Sequence, residues 1–217
     1  MFIGHFGIGF GAKAAAPRVS LGTLLLAAQF VDLLWPIFVL LGIETVRIDP
    51  GNTAVTPLDF VSYPLTHSLL TGVGWGVLLG CAYFVHRRWL RGAVVVAAAV
   101  VSHWCLDWVT HRPDLPLVPG GSKVGLGLWN SVPATVTIES LIFVAGVTVY
   151  LTSTRARDRA GHWALWSLIA FLASAYVGNL AGPPPPSARA VGWVGLAMWL
   201  LVPWGYWIDR HRESVQH

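Results

Sequence analysis

Gly92-Ala93-Val94-Val95-Val96-Ala97-Ala98-Ala99-Val100-Val101-Ser102-His103-Trp104-Cys105-Leu106-Asp107-Trp108-Val109-Thr110-His111 is the stretch on which the reading of the chain turns. It contains no Lys or Arg. At about 1.5 Å per helical residue it is long enough to cross a hydrocarbon core of about 30 Å. Residues four apart share a helix face, so His103, Asp107 and His111 form one polar stripe about two turns long. Trp104, Cys105, Leu106, Trp108 and Val109 lie between them, apolar and facing elsewhere. Three side chains able to bind a metal thus fall on a segment expected in lipid.

The composition agrees with that setting. Of 217 residues, 55% are hydrophobic and 11% charged, with a mean hydropathy of +0.62. A soluble domain carries about 25% charged residues. Leu21 to Val46, Thr66 to Val85, Val132 to Thr152, His162 to Ala181 and Ala190 to Ile208 are further apolar runs of membrane-spanning length. With Gly92 to Thr110 they predict six full spans. A shorter Gly-rich run, Phe2 to Ala16, ends at Pro17 and predicts a short N-terminal membrane helix. The expected fold class is all-α: a polytopic integral membrane helix bundle forming one membrane domain over residues 1–217. Residues 1–152 supply the helices of a candidate metal site, and residues 153–217 add two C-terminal spans.

Basic residues set the expected orientation, because cytoplasmic loops retain Lys and Arg. Lys13, Arg18, Arg87, Arg88, Arg91, Arg155, Arg157, Arg159, Arg210 and Arg212 fall on one side of these spans. Only Arg47, Arg112, Lys123 and Arg189 fall on the other. A cell-membrane protein with a cytoplasmic C-terminus follows. The formal charge of +4 is then a topology signal, and no nucleic-acid partner is expected. Cys81 and Cys105 lie inside spans and make poor disulfide candidates. No basic segment precedes the first apolar stretch, so no cleavable signal peptide is expected. The longer loops, Arg47 to Leu65 and His111 to Ser131, lie on the outer side, and the second is rich in Pro and Gly.

Asp32, His103, Asp107 and Glu139 lie within the apolar runs, and His67 opens one of them. An acid at the centre of a membrane helix costs about 2.5–3.5 kcal/mol on insertion scales. No Lys or Arg in these runs lies at comparable depth, so bound cations, protonation or a water-filled cavity must offset the cost. His103, Asp107 and His111 approach the outer end of their span. His67 and Glu139 approach from the same side, as does His5 if the N-terminal helix crosses. Imidazole and carboxylate together form the donor set of zinc and related divalent ions. The candidate ligands are His5, Asp32, His67, His103, Asp107 and His111. The set exceeds one tetrahedral shell, so one or two ions are expected, zinc first and manganese second. Such an ion brings the pKa of water toward neutrality and makes it able to attack an ester or phosphoester. Asp107 and Glu139 are the candidate catalytic acids. Glu139, alone on its helix, is the choice for general base.

Gly4-His5-Phe6, Phe30-Val31-Asp32, Thr66-His67-Ser68-Leu69-Leu70, and Ser102-His103 followed by Leu106-Asp107 carry a resemblance. Over roughly residues 1 to 150 the chain resembles the bacterial inner-membrane metal-dependent hydrolases related to the LexA-binding membrane-associated hydrolase family. The His-x-x-x-Asp spacing is also similar to part of the zinc phospholipase C pattern. These resemblances imply a bacterial inner-membrane location and hydrolysis of a phosphoester or lipid. The leading expectation is an integral-membrane metal-dependent hydrolase open to the outer leaflet, with membrane lipid or an amphipathic small molecule as substrate. Two others stand beside it. One is a proton- or ion-coupled transporter relaying through Asp32, Asp107 and Glu139. The other is a non-catalytic membrane scaffold whose metal, if any, pins helices together.

Overall fold

Serine and aspartate caps mark where the long apolar runs begin to wind. Ser20, Ser68, Ser131, Asp158 and Ser187 each accept a backbone N–H three residues on, satisfying a donor that the first helical turn would leave free. The computed structural model describes residues 1–215. Its helices are α1 (Ile3–Ala15), α2 (Leu21–Ala28), α3 (Phe30–Leu40), α4 (Pro64–His67), α5 (Leu69–Arg87), α6 (Leu90–Thr110), α7 (Val132–Ser153), α8 (Arg159–Ala181), α9 (Ala188–Leu196) and α10 (Leu201–Arg210). Three two-stranded antiparallel ribbons complete it. They are β1 (Thr45–Ile48) with β2 (Leu58–Ser62), β3 (Leu115–Pro116) with β4 (Lys123–Val124), and β5 (Thr154–Ala156) with β6 (Arg212–Ser214).

Helices α5, α6, α7 and α8 are each long and apolar enough to cross a membrane, as is the stretch from α9 through α10. The chain is a multi-pass membrane protein built as a helical bundle. Its outward faces are apolar, with Val77, Leu141, Val144, Trp163, Val177 and Trp193 exposed. The expected single span from Leu21 to Val46 is instead two helices, α2 and α3, bent by 55°. They reach membrane length only as a pair, so the described residues hold five helices long and apolar enough to cross, or six with the bent pair counted as one. Helix α3 stops at Leu40 because the chain then pairs as β1, with Gly42 at φ +71° in the turn between.

The short N-terminal helix is the centre of the bundle. Ile3, His5, Phe6, Phe10 and Lys13 of α1 are all buried, and Phe6 and Phe10 pack with Leu21, Phe143, Tyr150 and Leu165. Close approach of α1 and α7 depends on Gly7 and Gly146. A Cβ on Gly146 would fall on the Gly7 carbonyl oxygen, and one on Gly7 would lie 2.6 Å from the Ile142 oxygen. Small residues at a crossing let membrane helices meet backbone to backbone. At the end away from β1–β2, Lys13 Nζ bonds Asp209 at 3.0 and 3.2 Å and the Val19 carbonyl at 2.9 Å. Asp209 also accepts from Leu21 N and Tyr150 Oη, so α1, α2, α7 and α10 are tied at one carboxylate. Lys13, expected among the loop cations, is therefore a buried one.

Candidate metal centre

The bend at Gln29 and the short α4 bring the expected side chains together. Asp32 lies in the first turn of α3, His67 ends α4, His103 and Asp107 are one turn apart on α6, and His5 comes from α1. His67 Nε2 lies 3.2 Å from Asp32 Oδ1 and 3.7 Å from Asp107 Oδ2. His103 Nε2 lies 3.5 Å from Asp32 Oδ1 and 3.2 Å from Asp107 Oδ2. These spacings suit ligands sharing one ion at metal–ligand lengths near 2.0–2.2 Å, for which about 3–4 Å between donors is expected. Two overlapping donor groups result, His5–His103–Asp107 and Asp32–His67–His103, and either can hold a divalent metal ion.

Neighbouring groups decide which nitrogen each imidazole turns inward. His103 Nδ1 bonds the Ala28 carbonyl oxygen at 2.8 Å. A carbonyl only accepts, so Nδ1 carries hydrogen and Nε2 faces the carboxylates. Among the described residues no backbone N–H takes up the Ala28 oxygen at the bend between α2 and α3, which leaves it for His103. His103 Nε2 is fully buried and has no hydrogen-bond partner among the described residues; the same is true of His5 Nδ1 and both polar atoms of the Gln29 side chain. His5 stacks on His103 at 3.6 Å between ring centres and 7° between planes, and its Nε2 lies 3.0 Å from Asp107 Oδ1. The backbone nitrogen of Met1 lies 2.6 Å from that same oxygen. Both Asp107 oxygens are therefore engaged, Oδ1 toward α1 and Oδ2 toward His67 and His103. Asp32 alone keeps contact with the surroundings, its side chain being 24% exposed.

His111 and Glu139 belong to neither donor group. Helix α6 ends at Thr110, and His111 takes an extended backbone, so the stripe from His103 through Asp107 does not continue to it. His111 Nδ1 is 2.9 Å from Asp114 Oδ1 and 3.3 Å from the Tyr63 hydroxyl, and its ring packs on Phe60 and Trp129. Arg112 bonds Asp114 and Asp59, tying this loop to β2. Burial pushes the His111 pKa below its ordinary value, against the opposing hydrogen bond that its Nδ1 donates to Asp114. Burial pushes the Asp114 carboxyl up, but hydrogen bonds from His111, Arg112 and Tyr63 outweigh it and hold the pKa below the usual range. The Tyr63 hydroxyl is raised by burial and by Asp114 and stays a donor. Glu139 Oε2 accepts from Phe2 N at 2.8 Å and Gly4 N at 3.3 Å, capping the start of α1, a helix with no side-chain cap of its own.

Sequence reasoning missed Glu44, buried beside Thr66, and the Ala28 carbonyl. Glu44 stood at the end of an expected span with no partner legible in the chain. No family model, curated protein or solved structure matches the chain.

Proposed function

We propose that the chain is an integral-membrane metal-dependent hydrolase acting on a lipid or other amphipathic ester or phosphoester. The observation that carries this reading is the meeting of two imidazole Nε2 atoms with two carboxylates at 3.2–3.7 Å, deep among apolar helices. With its Nδ1 committed to the Ala28 carbonyl, His103 turns Nε2 toward the acids, where a cation shared with His67 would neutralise them. Zinc fits the mixed nitrogen and oxygen donors best, with manganese next, and the sharing of His103 between the two donor groups favours one ion. When bound, such an ion supplies Lewis acidity and a water able to act as nucleophile near neutral pH.

The residues around it divide the remaining work. Asp32, His67, His103 and Asp107 hold the ion, and His5 closes the set from α1. Asp32, the exposed member, marks the side from which substrate enters. Glu139 is the general base, its Oε2 fixed by amides and its Oε1 without a hydrogen-bond partner among the described residues. We place the protein in a bacterial inner membrane with six crossings, the bent α2–α3 pair counted as one. The site then lies in the outer half of the bilayer and the C-terminus in the cytoplasm.

The test is turnover by purified protein loaded with zinc or manganese, on phospholipids and on phosphate and carboxylate esters. The expected result is turnover that a chelator removes and the ion restores, and that Glu139→Gln abolishes while metal is retained. Metal-loaded protein inert across the panel would leave the scaffold reading. Flux that depends on pH in liposomes, with no stoichiometric metal, would establish the transporter reading instead.

A further inference from the structure

Glu44, between α3 and β1, makes no hydrogen bond to the donor set among the described residues, yet its contacts determine which nitrogen of His67 faces that set. It is 2% exposed. Its Oε1 accepts from Leu65 N at 2.8 Å and Thr66 N at 3.0 Å, and its Oε2 accepts the Thr66 hydroxyl at 2.6 Å. Thr66 Oγ1 has one proton, and Glu44 takes it. Toward His67 Nδ1, 2.7 Å away, that oxygen can offer only a lone pair. His67 Nδ1 therefore carries hydrogen, and Nε2 is left to face Asp32 and Asp107.

We propose that Glu44 and Thr66 are positioning residues that hold His67 as a metal ligand, a relay running from carboxylate through hydroxyl to imidazole. The inference rests on the metal-dependent reading above. Carboxylates behind ligating histidines fix the tautomer and ring orientation and raise the basicity of the ligating nitrogen, and here one hydroxyl stands between. Helix capping accounts for the two amide contacts of Oε1, at the start of α4. It does not account for the line through Oε2, Thr66 and His67. The two imidazoles are thus anchored differently: His103 by a main-chain carbonyl that no substitution removes, His67 by two side chains that substitution can.

Full-length protein in detergent, with zinc as the probe, gives the test. Zinc affinity is measured by competition with a chromophoric chelator, beside thermal melting of the metal-free protein. Thr66→Val keeps the shape and removes the hydroxyl, and the expected result is zinc binding weakened by about 10–100-fold. Thr66→Ser should restore it, and Glu44→Gln, which can still accept from the amides, should weaken it as well. Wild-type affinity in both Thr66→Val and Glu44→Gln, with zinc lost in His67→Ala, would overturn the relay and leave the metal reading standing. Wild-type protein that binds no zinc would overturn both. If Thr66→Val melts too low to purify, Glu44→Gln decides the matter: unchanged affinity there overturns the relay.

Discussion

Asp107 is the residue on which most contacts converge, facing three histidines while Asp32 faces two. Asp107→Asn should therefore weaken zinc binding more than Asp32→Asn, a ranking that competition with a chelator measures directly. A second residue-level prediction concerns the loop cap. His111 titrates below its ordinary value when folded, so its contribution is complete above about pH 6.5 and declines as pH falls below that, because the unfolded chain then binds the extra proton. Asp114 is also depressed, so its own contribution is lost only further down, as pH falls through the carboxylate range. Hydrogen exchange of residues 111–130, corrected for intrinsic rate, should accelerate between pH 7 and pH 5 more than exchange in the core of α6. Equal acceleration would contradict it. His103 and Asp107 could be paired from sequence because one helix turn separates them. The Glu44–Thr66–His67 line could not, since β1, β2 and the loops flanking them intervene and only the folded chain brings the carboxylate beside the hydroxyl.

Among elements, α1 differs most from its first appearance. Read by length, Ile3–Ala15 is too short to cross a bilayer comfortably; surrounded by α2, α6, α7 and α8, it need not meet lipid along its whole length. Its glycines are legible as small residues, but not as the seat of α7, because their partner Gly146 stands far along the chain. Gly146→Ala should destabilise the protein by about 1–3 kcal/mol through overpacking, read as a lowered melting temperature in detergent. It should also loosen Glu139 from the first amides of α1, giving faster exchange at Phe2 and Gly4. An unchanged melting temperature would show that the crossing has slack. The bend between α2 and α3 was equally hidden: Pro36, the usual suspect, lies inside α3 and not at the break. The Ala28 carbonyl released there binds His103, so the break serves the site.

For the whole molecule, two of the buried polar clusters within the apolar shell stand well apart along α1. One is the His/Asp cluster, and the other is the Lys13–Asp209 clasp near the opposite end of the bundle. Lys13→Met leaves the partly buried Asp209 without its cation, and the expected cost is about 3 kcal/mol of stability with metal content unchanged. A loss of metal in that variant would mean that the two places are coupled. The bundle and the convergence of His5, Asp32, His67, His103 and Asp107 were legible from apolar runs and the depth of ionisable residues within them. The ribbons and the departure of His111 were not, because they depend on where α6 ends and on pairing across loops.

In the proposed metal centre, imidazoles and carboxylates from four separate segments share one divalent ion. Elemental analysis of detergent-purified protein, wild type beside His103→Ala, tests it most directly. About one equivalent of zinc or manganese per chain is expected in the wild type, with a large loss in the variant. Less than about half an equivalent in the wild type, unchanged by the substitution, would contradict it.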